Sequence, residues 1–600
     1  MFFLWYDEQN KKVREKNMEP VKKQKHLKKK MTRGKKNNKK MMRNILLIVV
    51  AILIVIGIIF IAPNFMYEED IDKIELVLNN NNVTSKLKQD VYMDQNGNIY
   101  LSEEDMQNYF DRYIRYDKET ELLTTTSDKK VAKMKKGEHT VDINGSKVEM
   151  NGALTEQNGV LYLPFSDLSR NVFNAEVSYL SDENIVIVES LDRELKKGDM
   201  AKNARVKSSA KYFSKTVDKV EKGEKVVVVS TDNGWSKIRT ERGKIGYVKE
   251  DTVANIITVR ENMEEEKQVE GKINMVWDYY SQVAKAPDRT GETIEGVNVV
   301  APAFFSFKEG GNGEIVDNAG QAGREYIEWA HENGYKVWPI FSNSSMLNTT
   351  SSMLNDEETR NELINVIVSL VEEYGVDGIN LDFEHMKQED KDIFSQFVIE
   401  LAPRLRDMGK VLSVDVTAPD GAETWSLCYD RDVLAHVADY MVFMAYDQNG
   451  ISSPEEGTTA GYNWVENNIK KFLGQEDVDA NKLILGIPFY TRLWTERDGE
   501  VSSRVVFTKD VDSRIPDGVE KTWDDTLKQN YVEWSDNGAT YKMWIEDETS
   551  IREKVKLANQ YNLAGVSFWS KDREPDSIWS MISEELQKGE TQQTSQEEQE

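Results

Sequence analysis

The chain has 600 residues, with 39% hydrophobic content and 13 Trp, 24 Tyr and 20 Phe, which is material for about three or four folded domains. A net charge of −27 excludes general nucleic-acid binding, because a phosphate backbone would be repelled. The single cysteine, Cys428, excludes an intrachain disulfide, so folding does not rely on oxidation.

The charge is unevenly spread. Residues 1–44 hold sixteen Lys or Arg against four Asp or Glu, and the rest of the chain is strongly acidic. Next comes ILLIVVAILIVIGIIFIA, residues 45–62, an uncharged apolar run of 18 residues that is long enough to cross a bilayer's hydrocarbon core as a helix. A cleaved signal peptide competes with this reading, but the run exceeds a signal core and Pro63 follows in place of a cleavage site. The expectation is an uncleaved transmembrane anchor in the cell membrane. Its basic N-terminal segment would be cytoplasmic and the chain after about residue 66 extracellular. Starting translation at Met31 or Met41 would leave this topology unchanged.

Residues 67–90 are polar and Asn-rich, a stalk. Within 67–192 the sequence echoes itself: QNGNIYLSEEDM at 95–106 matches QNGVLYLPFSDL at 157–168. Each copy reads as an Asn-Gly turn, a short strand and a helix start, which predicts a small α+β domain. It resembles the repeated domain named after the N-terminal region of copper amine oxidases, read here as a spacer or a wall-binding module. No His or Cys cluster accompanies it, so no metal is expected. Residues 199–255 are short β segments, with a hairpin turn at Asp232-Asn233-Gly234 and Trp235 to fill a small core. They resemble a bacterial SH3-like barrel, a type associated with cell-wall peptide or glycan.

From 270 to 586 strands and helices alternate. Eight candidate strands, at 273–280, 298–307, 335–341, 376–384, 410–419, 439–447, 483–490 and 564–570, are the number for a (β/α)8 barrel. The long gap before the last strand includes VEWSDNGATYKMWIE, 532–546, which predicts a small antiparallel insertion. The tail 587–600 has no apolar residue and is expected to be disordered.

The fourth strand, VDGINLDFE, carries the densest chemistry. Asn380, Asp382 and Glu384 alternate with Ile379, Leu381 and Phe383, so one face is polar and the other apolar. Carboxylates on a buried strand are costly unless paired or working. Asp377 has the other parity and reads as a structural residue at the strand start. Tyr446-Asp447, Tyr490 with Arg492, and Trp569 stand at the ends of the sixth, seventh and eighth strands. That end of such a barrel collects its site, and this mixture of carboxylates, phenols and an indole suits a sugar.

DGINLDFE, MAYD at 444–447, GIPFY at 486–490 and the late Trp569 resemble, in order, the landmarks of glycoside hydrolase family 18, the chitinases and endo-β-N-acetylglucosaminidases. The spore-cortex and cell-wall branch is the most similar. The resemblance implies catalytic roles for Glu384 as general acid and base, Asp382 as the group that orients the substrate's 2-acetamido function, and Tyr446 as a donor to its oxygen. It implies substrate positioning by Asn380, Asp447, Tyr490, Arg492 and Trp569. Family members work by substrate assistance. Asn380 departs from the family pattern, which has Asp there; an amide cannot share a proton with Asp382. The five His are scattered without ligand spacing, so neither metal nor other cofactor is expected. The expected partner is peptidoglycan or another N-acetylglucosamine-containing glycan, cleaved at β-1,4 linkages. A non-catalytic glycan-binding protein and a chitinase are the alternatives.

Overall fold

The computed structural model describes residues 41–52, 73–262 and 268–597. The expected transmembrane helix at 45–62 is corrected by it: among the described residues no helix is long and apolar enough to cross a membrane. Of the predicted span, residues 45–52 lie in the described helical stretch 41–52. A hydropathy run counts apolar residues, and does not by itself say that they form one continuous helix. The rest of that run, the basic residues 1–40 and the beginning of the stalk lie outside the described residues. A second correction concerns the tail. A helix runs over Ile578–Glu597 where disorder was expected. Ile578, Trp579, Ile582 and Leu586 bury its first turns, and the Glu, Gln and Lys that follow are good helix formers.

The two sequence repeats fold alike. Each is a hairpin followed by a short helix: Tyr92–Met93 and Ile99–Ser102 lead into Glu103–Tyr109, and Thr155–Gln157 and Val160–Leu163 lead into Phe165–Asn171. The copies pair with each other through Leu101 opposite Leu163 and Ser102 opposite Tyr162. A seven-stranded sheet follows. It begins at Leu195–Met200, ahead of the start read from the sequence, and ends at Val253–Arg260. Val206, Val226, Ile238 and Val248 fill its core. Trp235 is buried as expected, with Lys249 Nζ 4.2 Å from its ring centroid.

The C-terminal region is a closed barrel. Its strands are β1 (Ile273–Asp278), β2 (Val299–Pro302), β3 (Phe305–Phe307), β4 (Lys336–Val337), β5 (Ile340–Ser342), β6 (Gly378–Asp382), β7 (Val411–Val416), β8 (Tyr440–Met444), β9 (Leu483–Pro488) and β10 (Gly565–Trp569). Here β2 and β3 are halves of one stave, and β4 and β5 halves of the next, because β2 pairs with β4 and β3 with β5. The ring therefore has eight parallel staves. Two apolar layers hold it. Ile379, Leu381 and Phe383 face outward into the shell shared with the helices. Trp277, Trp338, Val442 and Ile484 fill the lumen. Gly378 opens β6 because a Cβ there would come within 2.5 Å of the Val411 carbonyl oxygen on β7.

Between β9 and β10 the expected hairpin is part of a larger insertion. Five antiparallel strands lie in the order Glu500–Phe507, Tyr490–Arg497, Ala539–Ile545, Gln529–Asp536, Thr522–Asp524. The repeat domain docks on one barrel helix through Lys133–Glu400 at 2.6 Å and Lys130–Asp407 at 2.8 Å, and on the loop before β9 through Arg112–Asp477 at 2.7 Å.

Candidate active site

The alternation along β6 places Asn380 and Asp382 on the inward face, and Glu384 follows just past the strand end. Asn380 is fully buried. Its Oδ1 accepts from Trp277 Nε1 at 2.7 Å, and its Nδ2 donates to Asp415 Oδ1 at 2.7 Å and to Ser413 Oγ at 3.0 Å. Every polar atom of the amide is therefore used inside the barrel, which makes Asn380 a second layer beneath the cleft rather than a direct contact for a sugar. That corrects its reading as a substrate-binding residue.

Asp382 and Glu384 are partly open to the cleft. Asp382 Oδ1 is buried without a hydrogen-bond partner among the described residues. Burial pushes the Asp382 carboxyl up to about 6, with a bond from Ser342 opposing the shift. Burial, followed by the charges of Asp382 and Asp447, holds Glu384 well above the usual carboxylate range. These are the conditions for a carboxylic acid that keeps its proton near neutral pH. The backbone at Glu384 is clamped: Asn343 Oδ1 accepts from Glu384 N at 3.0 Å, and Asn343 Nδ2 donates to Glu384 O at 2.8 Å. Tyr429 reinforces the turn, donating from its hydroxyl to Phe383 O at 2.7 Å.

Tyr446 follows β8 and meets Trp277 edge to face at 6.5 Å and Tyr490 at 6.2 Å. Burial, then the Asp415 charge, raises its phenol well above the ordinary value, so it remains a donor. Asp447 has φ +55°, a left-handed conformation that costs a side-chain-bearing residue on the order of 1 kcal/mol. It accepts from Tyr490 OH at 2.8 Å. Arg492 Nη2 lies 3.8 Å from the same oxygen and Nη1 donates to Ser503 at 3.2 Å. Tyr490 and Arg492 are not at the end of the seventh stave, as the sequence suggested. They sit on the first strand of the insertion, which β9 leaves at Pro488, so the insertion itself brings them to the cleft. Trp569 ends β10 beside Trp277 at 5.7 Å and Tyr279 at 5.4 Å; its peptide bond to Ser570 is cis.

Several residues escaped the sequence reading. Asp415 is 2% exposed near the C-terminal end of β7; its inward parity with Ser413 in VLSVDV was the available signal. Asn343 and Ser342, at the end of β5, carried none. His385 and Trp425 stack at 5.1 Å directly beyond Glu384, a contact across two loops. Asp278 stands at the end of β1, but Arg289 engages it at 2.9 and 3.0 Å and Tyr326 OH at 3.0 Å, so it is structural. Asp377 accepts from Val337 N at 3.0 Å and faces His331 at 2.8 Å, also a structural arrangement. Among the described residues no group of three His, Cys, Asp or Glu is placed to hold a metal.

Residues 77–188 match the copper amine oxidase N-terminal domain and 202–254 the bacterial SH3 domain. The chain is 27% identical over 299 residues to the uncharacterized glycosylase YvbX of Bacillus subtilis, covering 48% of this chain and 84% of that one. It is 24% identical over 313 residues to the cortical fragment-lytic enzyme of the same organism, covering 46% and 72%. A chitinase structure from Chromobacterium violaceum aligns at 22% identity and a TM-score of 0.46, covering 53% of this chain and 99% of that one. Residues 258–574, more than half of the chain, match the glycosyl hydrolases of family 18; the protein belongs to that family and is a glycosidase.

Proposed function

We propose that this glycosidase cleaves β-1,4 bonds following N-acetylglucosamine in peptidoglycan, with retention and with help from the substrate's own acetamido group. The observation that carries the reading is the placement of Glu384 and Asp382 together at the mouth of the barrel, the first held protonated and the second with a free buried oxygen. Glu384 gives its proton to the leaving oxygen as the C1–O bond breaks, and the bond's electron pair stays on that oxygen. The acetamido carbonyl oxygen closes on C1 while Asp382 takes the hydrogen bond from the acetamido N–H. Tyr446 donates to the same carbonyl oxygen and steadies its changing charge. Glu384, now ionised, then draws a proton from the water that opens the oxazolinium. Trp569 and Tyr279 offer the apolar face of a sugar a floor.

Peptidoglycan as the substrate is supported by the similarity to the cortical fragment-lytic enzyme and by the bacterial SH3 module. The same reading puts the barrel outside the cell, at the wall. The test is the full chain and its Glu384→Gln variant on purified glycan strands and on chitin oligomers, scored by reducing ends and by mass spectrometry of the products. Loss of a general acid is worth about 10²–10⁴-fold, so the variant is expected to fall by about 10³-fold, and parent products should end in N-acetylglucosamine. A variant as active as the parent would sink the mechanism. Faster cleavage of chitin oligomers than of wall glycan would make the protein a chitinase.

A further inference from the structure

Position 380 holds an amide beside two carboxyls, and the structure shows where a third carboxyl comes from. Asp415 lies one strand across, on β7, within 2.7 Å of Asn380 Nδ2. No Lys or Arg among the described residues pairs with it, and it is 2% exposed. A carboxyl in this lumen, with an amide as its partner and no cation beside it, is expensive if ionised. The groups around it are Asp382 and Glu384 from β6 and its end, the Tyr446 phenol from the end of β8 and the Trp277 indole N–H from β1.

We propose that Asp415 is a positioning residue for the acetamide step: it supplies, from the neighbouring strand, the buried proton-holding carboxyl that position 380 lacks. This rests on the acetamide-assisted reading above. Asp415 keeps its proton, so that within the trio Asp382 is the group left free to carry the negative charge that meets the acetamido N–H. Asn380 relays the arrangement, its Nδ2 fixing Asp415 and its Oδ1 tied to Trp277, the ring that backs Trp569 and Tyr446. Supporting this, burial and then the Asp382 charge hold Asp415 well above the usual carboxylate range, with the Asn380 bond opposing.

The amide and the carboxyl should then be exchangeable. In the double variant Asn380→Asp/Asp415→Asn, Trp277 still donates to an oxygen at 380 and an amide still faces a carboxyl across the two strands. The experiment measures kcat, KM and the pH profile of the full chain carrying Asp415→Asn, the double exchange and, in parallel, Glu384→Gln, on a nitrophenyl glycoside of an N-acetylglucosamine dimer, with melting curves for each. For Asp415→Asn we expect kcat to fall at least tenfold and KM to change less than threefold. Its pH profile should keep the parent's limbs, because a protonated carboxyl and an amide carry the same charge; a profile moved to lower pH would mean that Asp415 is ionised in the parent and would overturn the proposal. The double exchange should return kcat to within about fivefold of the parent. An Asp415→Asn enzyme within twofold of the parent in kcat, or one whose KM rises as much as kcat falls, would overturn the proposal. So would a double exchange that is no more active than Asp415→Asn, or that fails to fold. If Glu384→Gln is as active as the parent, the acetamide-assisted reading itself has failed; if it is inactive while Asp415→Asn is unaffected, only the role of Asp415 has.

Discussion

At the residue scale, the site trades stability for protonation. Asp382 titrates at about 6 in the fold, because burial disfavours its charged form, whereas an unfolded chain would release that proton near pH 4. A folded pKa raised in this way contributes stability that is present below about pH 4 and lost as pH rises through about 6. Asp382→Asn removes the loss. The variant is expected to melt higher than the parent at pH 7, by about 1–3 kcal/mol of stability given 1.36 kcal/mol per pKa unit, while losing most activity. The difference should shrink to near zero at pH 4. Melting curves at the two pH values check this; a variant that melts lower than the parent at pH 7 would contradict it.

At the scale of elements, the strand ends do the aiming. The clamp from Asn343 at the end of β5 fixes the backbone on both sides of the Glu384 peptide, and His385, directly after it, adopts φ +52°. A side chain that satisfies two backbone groups cannot be truncated without leaving both short of a partner, at about 1–3 kcal/mol for each buried group. Asn343→Ala is therefore expected to lower the melting temperature and to cut kcat about tenfold, read by calorimetry and initial rates. The insertion is the other positioning element. By leaving β9 at Pro488 it delivers Tyr490 to Asp447 and sets Arg492 behind them.

At the scale of the whole molecule, the modules form a connected body. The SH3-like sheet touches the repeat domain through Arg239–Glu189 at 2.8 Å and a small apolar cluster of Val77, Ile185 and Ile187 with Ile245. The repeat domain in turn meets the barrel, where Lys133 reaches Glu400, a carboxylate 2% exposed that is also shared with Arg360 at 3.5 Å. Asp407 and Asp477 precede β7 and β9, so part of this docking surface lies at the barrel end opposite Glu384. Lys133→Ala removes one of two cationic partners of a buried carboxylate and is expected to cost about 1–3 kcal/mol, with kcat unchanged. A lowered kcat at parental melting temperature would instead show coupling between the docking surface and the cleft.

The sequence by itself determined the eight staves, because a buried parallel strand must read as a short apolar run between helical stretches. It also determined the triplet Asn380, Asp382 and Glu384, because strand parity sends alternate side chains to one side. Only the tertiary structure could decide what stands opposite that triplet. Asp415, Asn343 and the His385–Trp425 pair come from other strands and loops, brought within hydrogen-bond or ring distance by the closure of the barrel. The same closure gave Asn380 its buried partners, and the insertion, not the seventh stave, carried Tyr490 and Arg492 to the cleft. Apolar length at 45–62 suggested a membrane-crossing helix that the described residues do not form. Local pattern fixes which way a side chain points along its own strand, whereas the partner it meets is set by a neighbour far away in the chain.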